Sequence, residues 1–142
     1  MERGPGRGHR AVPHTADVRI EAWAPDREGC VAEAVSALVE TFADISGAGE
    51  CAEVTFDVPA GDDGDLLVGV LDEVIFRLET EGVLPVAANV TADPGGGLRV
   101  RWPVVAADGA EPVGAVPKAV SLHGLRFGRD EVGWSCAVTL DV

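Results

Sequence analysis

Apolar side chains recur every second residue from Ala16 to Ala24, through Val18, Ile20 and Ala22, and this alternation predicts a half-buried strand. Pro25-Asp26 then punctuates the chain, with Asp26 placed to cap a helix. Over residues 27–44 the period lengthens. Val31, Ala34, Val35, Leu38 and Phe42 share one helical face, with Glu28, Glu33 and Glu40 elsewhere, which predicts an amphipathic helix ended by the glycines of ISGAGE. CAEVTFDV reads as a strand through Val54, Phe56 and Val58. The acids of PAGDDGD suit a helix start near residue 64. Leu67, Val70, Leu71, Val74, Ile75 and Leu78 form the buried stripe of that second helix, which Glu81-Gly82 stops. Strand patterns come next at about 85–92, 98–106, 115–124 and 132–141, the first two joined as a hairpin by DPGGG. The order predicts an α+β fold: a two-layer domain with a mixed β-sheet and two amphipathic helices packed on one face. Residues 1–13, rich in Gly, Arg and Pro, read as a flexible basic N-terminal tail, and residues 14–142 as a single domain.

Composition narrows the class. A chain of 142 residues with 46% apolar and 25% charged positions is expected to fold as one globular domain. It has no apolar run of the roughly 18 residues that a membrane span needs, and no signal-peptide h-region, so a cytoplasmic location is expected. The net charge of −13 repels phosphate backbones, so no stable direct nucleic-acid binding is expected; a basic protein or a metal ion suits the charge better. Cys30, Cys51 and Cys136 share no metal-type spacing and read as reduced, buried small hydrophobes.

The sequence lacks the phosphate-binding G-x-x-x-x-G-K, the G-x-S-x-G elbow and H-E-x-x-H. What remains is a set of polar residues at strand ends. Asp17 opens the first strand directly after His14, Thr15 and Ala16. Lys118 is the lone cation of the apolar pattern VPKAVSLHG, with His123 five residues on. Asp141 is penultimate in WSCAVTLDV, which places the carboxyl group of Val142 beside a second carboxylate. Oxygen ligands so gathered suit hard divalent ions, and Asp17 joins them if the first and last strands are neighbours. Taken singly, each residue also reads as ordinary: a strand-start acid, an edge lysine, a turn histidine.

HTADVRIEAWAPDREGCVAEAVSALVETFAD, LLVGVLDEVIFRLETEG, PKAVSLHGLRF and the closing GWSCAVTLDV together resemble the archease family, from about His14 to Val142. The resemblance implies a protein cofactor without ligation chemistry of its own, which activates the RtcB-type, GTP-dependent RNA ligase of tRNA splicing and RNA repair. It implies promotion of ligase guanylylation and repeated turnover. It also implies a divalent metal ion, Ca²⁺ foremost with Mg²⁺ or Mn²⁺ as alternatives, held by Asp17, Asp141 and Val142. Lys118 matches the family's functionally important lysine, and His14, Thr15 and His123 are the supporting polar residues around the metal. Three departures bear on docking to the ligase. Leu122 stands where the family usually has an aromatic, Arg126 where it often has a polar acceptor, and Val70-Leu71-Asp72 where Trp-Leu-Asn is common.

Two other readings stay open. One is a chaperone-like binding module for a protein of RNA metabolism, which an exposed apolar patch would favour. The other is a metal-dependent hydrolase with His123 or His14 as general base.

Overall fold

Each helix begins at an aspartate whose side chain takes up a free N–H of the first turn. The computed structural model describes residues 6–13 and 17–142. Helix α1, Arg27–Glu40, is capped by Asp26, which accepts from the Gly29 N–H at 2.6 Å; such a cap contributes about 1 kcal/mol. It ends four residues before the predicted 44. Thr41 turns both its N–H (3.2 Å) and its hydroxyl (2.7 Å) back onto the Leu38 carbonyl, so the chain leaves the helix while Phe42 and Ala43 stay buried. Helix α2, Asp63–Glu81, is capped by Asp62 accepting from the Asp65 N–H at 2.8 Å. Gly82 closes it at φ +66°, a left-handed conformation that disfavours any side chain.

The strands are β1 Gly8–Pro13, β2 Asp17–Ala24, β3 Ala43–Asp44, β4 Glu50–Val58, β5 Val83–Pro85, β6 Asn89–Ala92, β7 Leu98–Ala106, β8 Glu111–Pro112, β9 Ala119–Arg129 and β10 Trp134–Asp141. They form a four-stranded sheet in the order β1-β2-β10-β9, a second sheet in the order β4-β7-β5 with β6 also on β7, and the short pair β3-β8. The α+β class and the two helices stand as expected. Every ladder among the described residues is antiparallel.

Helix α1 lies against β2 and helix α2 against β9. Val31, Val35 and Leu38 of α1, Leu67, Leu71 and Val74 of α2, and Ile20, Val138, Leu140 and Trp102 of the sheets belong to one buried cluster. Cys30 and Cys136 are buried within it, as their sequence setting suggests; the Cys51 side chain lies outside the described residues. No described helix is long and apolar enough to cross a membrane.

Three elements depart from the sequence pattern. The predicted strand at 85–92 is two short strands, β5 and β6. The predicted strand at 115–124 begins only at Ala119 and runs on to Arg129, because Gly124 at φ +70° makes a bulge where the predicted strand stops. The expected tail of residues 1–13 is also corrected: Gly8–Pro13 form the edge strand β1, paired with β2 from Gly8↔Trp23 to Pro13↔Val18. The predicted hairpin is present, closed by Asp93 N–H to Gly97 carbonyl at 2.9 Å. Only glycine fits at Gly97, since a Cβ there would lie 2.0 Å from the Val58 carbonyl oxygen.

Polar contacts rather than apolar alternation hold β1, which is why the sequence hides it. Arg10 lies 4.8 Å over the Trp23 ring and pairs with Glu21. His9 sits between two carboxylates of α1, with Nδ1 at 2.7 Å from Glu33 and Nε2 at 2.8 Å from Glu40, and Arg7 also binds Glu33. An imidazole that donates from both nitrogens is doubly protonated. Burial lowers the His9 pKa, but the hydrogen bonds and charges of Glu33 and Glu40 outweigh it and hold the ring above its ordinary 6.5. Burial likewise raises Glu33, and His9 and Arg7 outweigh it to hold the carboxyl below 4.5. The raised histidine contributes stability below pH about 6.5, lost as pH rises through its folded value; the lowered glutamate contributes above about 4.5, lost as pH falls through its folded value. The clasp is therefore strongest in mildly acidic solution. Protection of the Arg10 and Ala11 amides from hydrogen exchange should fall as pH rises above 6.5 and through the raised folded value, and His9→Ala should remove that pH dependence.

Candidate functional site

The first and last strands of the predicted set are neighbours. In the β2–β10 ladder Asp17 stands directly opposite Asp141, and Asp141 in turn stands opposite Ala119 of β9. Direct partners in an antiparallel pair have Cα atoms about 4.5–5.5 Å apart, and like charges so placed destabilise the pair. Asp17 is half-buried, with its Oδ1 wholly buried, while Asp141 is exposed. Two carboxylates thus share one end of the sheet, and Val142 follows Asp141 directly in the chain. No group of three or more His, Cys, Asp or Glu side chains able to hold a metal occurs among the described residues.

Lys118 is exposed and stands just ahead of β9, not within an apolar strand; neighbouring Val116 is itself 52% exposed. Its N–H donates to the Asp141 carbonyl at 2.7 Å, which ties the lysine backbone to the carboxylate pair. His123 is not gathered there. It lies in the bulge, where Leu122 to Leu125 face Val138 alone, and its N–H donates to Ser121 Oγ at 3.2 Å. His14 and Thr15 lie outside the described residues.

Arg19, two residues beyond Asp17 on the same side of β2, was not singled out from the sequence. Its guanidinium donates to Thr139 Oγ1 at 2.9 Å and to the Gly124 carbonyl at 3.0 Å. It thereby pins the bulge of β9 to the strands that carry both aspartates, and leaves Leu122 70% exposed at the tip. An arginine on the polar side of an alternating strand was the available signal.

This end of the sheet offers two carboxylates, an exposed lysine whose backbone N–H is bonded to the Asp141 carbonyl, and an exposed leucine on a bulge pinned by Arg19. Such a set can hold a cation and present positive charge to a partner. It contains no described nucleophile–base pair of the kind that group transfer needs.

A sequence model of the Archease protein family matches residues 9–142. A protein of Mycobacterium tuberculosis called "Probable protein archease" is 50% identical over 139 residues, which cover 98% of this chain and 77% of that protein. The solution structure of Methanobacterium thermoautotrophicum protein 1598 superposes with a TM-score of 0.78 at 26% identity, over 95% of this chain and 99% of that one. The crystal structure of a Thermotoga maritima protein, described as an archease and possible chaperone, superposes with a TM-score of 0.67 at 22% identity, over 100% of this chain and 98% of that one.

Proposed function

This chain belongs to the archease family, and from that premise we propose that it is a non-enzymatic activator of an RtcB-type, GTP-dependent RNA ligase, promoting ligase guanylylation and repeated turnover in tRNA splicing and RNA repair. The observation that carries the reading is the register that sets Asp17 opposite Asp141 beside Val142. A carboxylate pair that repels itself is costly to keep without a use for it. The donor chemistry fits a hard divalent ion, with Ca²⁺ first and Mg²⁺ or Mn²⁺ as alternatives, and Asp17, Asp141 and Val142 are its ligands. When bound, the ion supplies concentrated positive charge at the sheet end.

The chain's own residues do the rest. Buried Oδ1 limits the freedom of the Asp17 carboxylate, and His14 and Thr15 would orient it further. The Lys118 N–H bond to Asp141 sets the lysine beside the same end, where its ammonium can meet phosphate charge in the ligase site. The net charge of −13 steers the body toward a basic face of the ligase, so higher ionic strength should slow association. Arg19 fixes the bulge, so Leu122 meets the partner as a formed shape.

Adding the protein to such a ligase with GTP and Mn²⁺ should raise the rate of ligase–GMP formation, and a rate unchanged by the protein would sink the activator reading. The second reading, a chaperone-like binding module, draws on the description of the Thermotoga protein as a possible chaperone and on the exposure of Phe76, Val113, Val116, Leu122 and Val132. It predicts that the ligase stays soluble in the protein's presence with its guanylylation rate unaltered.

A further inference from the structure

The short pair β3–β8 sets Asp44 directly opposite Glu111. Like charges in direct cross-strand positions oppose pairing, so other contacts hold this corner together. A Cβ at Gly114 would lie 2.3 Å from the Thr41 carbonyl oxygen, so glycine alone lets the chain pass against the end of α1. Next to it, the Val113 N–H donates to the Phe42 carbonyl at 2.9 Å. The Ala48 N–H donates to the Ile45 carbonyl at 3.0 Å, and the Val86 N–H to the Pro103 carbonyl at 2.9 Å. Between these segments lies an open groove of about 660 Å³.

Two kinds of residue line it. Val39, Ile45, Pro85, Val86 and Val113 form apolar walls, and Val113 is 56% exposed. Glu40, Asp44 and Glu50 bring carboxylates, while no Lys, Arg or His is among the described lining residues. His9 takes Oε2 of Glu40 and leaves Oε1. Asp44 accepts the Ser46 N–H at 2.9 Å, and bonds from the Ser46 side chain and N–H hold its carboxyl below the ordinary 3.8, so it is ionised at neutral pH.

This lining selects its occupant. A metal ion needs donors gathered round one point, and no group of three such side chains able to hold one occurs among the described residues. A phosphate group meets only carboxylates here. A second copy of a chain with net charge −13 is repelled as a whole. A cation on an apolar stem satisfies both kinds of lining, because Lys and Arg lay their methylenes along apolar surface and carry the charge to its edge.

We propose that this groove docks an extended segment of a partner protein in which lysine or arginine stands next to apolar side chains. The choice of a protein occupant rests on the reading that this chain works through a protein partner, and the groove adds a face made of residues other than the Asp17–Asp141 pair. Walls already bonded into the fold lower the ordering cost of docking.

The test is a titration of the isolated, metal-free protein with the synthetic peptide Lys-Val-Lys-Val-Lys, followed by amide NMR shifts. Salt of about 0.1 M screens exposed charges beyond about 10 Å, which limits the pull of the acidic body. Shifts should gather at residues 39–50, 85–86 and 113. Asp44→Asn with Glu50→Gln keeps side-chain shape and should weaken binding about fivefold while the spectrum stays dispersed. Glu79→Gln with Glu131→Gln removes the same charge from exposed positions elsewhere and should leave binding unchanged. Lys-Ser-Lys-Ser-Lys, which lacks the apolar side chains, should bind about tenfold more weakly. Absence of gathered shifts would overturn the proposal. Equal binding of the serine peptide, or equal losses in the two double variants, would also overturn it, since either assigns the contact to net charge alone. Ligase and GTP are absent, so failure here is distinguishable from failure of the activator reading.

Discussion

Replacing Asp17 and Asp141 together by asparagine is expected to stabilise the metal-free protein and to abolish its response to divalent ions. The two carboxylates face each other across the β2–β10 ladder. Like charges in direct cross-strand pairs cost a few tenths to about 1 kcal/mol, and the amides remove that repulsion without changing side-chain shape. In the wild type, Ca²⁺ at about 100 times its dissociation constant should add about 2.7 kcal/mol, by linkage to the folded state alone. The variant gains nothing. The order of melting temperatures therefore reverses between chelator and Ca²⁺. A wild type indifferent to Ca²⁺, Mg²⁺ and Mn²⁺ would remove the metal from the account.

The second large effect lies in the core. Trp102 is 0% exposed, and its ring meets Phe56 edge-on at 4.9 Å. Trp102→Ala should cost about 3–5 kcal/mol through lost burial and the cavity left behind, which lowers the melting temperature of a chain this size by roughly 10–20 °C. Trp102→Phe should cost much less than its lost volume suggests. The buried indole N–H of Trp102 has no hydrogen-bond partner among the described residues, and phenylalanine removes that unsatisfied donor. Urea unfolding of the three proteins measures the difference directly, and equal costs for the two variants would contradict it.

The helices were legible because both of their signals are local. Asp26 and Asp62 cap them, and their apolar faces repeat at 3.6 residues. β1 was not legible, because Arg10 on Trp23 and His9 between Glu33 and Glu40 are contacts across 13 to 31 residues that leave no alternation in GHRAVP. The strand pattern at 115–124 ends at Gly124. Its positive φ does break the strand rhythm, but Arg19, 105 residues away, binds its carbonyl and lets the strand resume.

The candidate site divides in the same way. Asp141 and Val142 are adjacent in sequence, so their grouping could be read there. That Asp17 faces them depends on β2 pairing with β10, a fact of strand order that no local pattern carries. Lys118 joins through its backbone N–H, a contact side-chain chemistry does not foretell. His123 had only its nearness in sequence to recommend it, and the bulge carries it away from the pair.

The central claim is that this sheet end activates a ligase. The most direct measurement counts ligated product per RtcB-type ligase over time, on RNA with 3′-phosphate and 5′-hydroxyl ends, with GTP and Mn²⁺. Wild-type protein should carry the count well above one per ligase, and Asp17→Ala and Asp141→Ala should each hold it near one. Stimulation retained by both variants would contradict the role given to the carboxylate pair, and a count that wild-type protein leaves unchanged would contradict the activation itself.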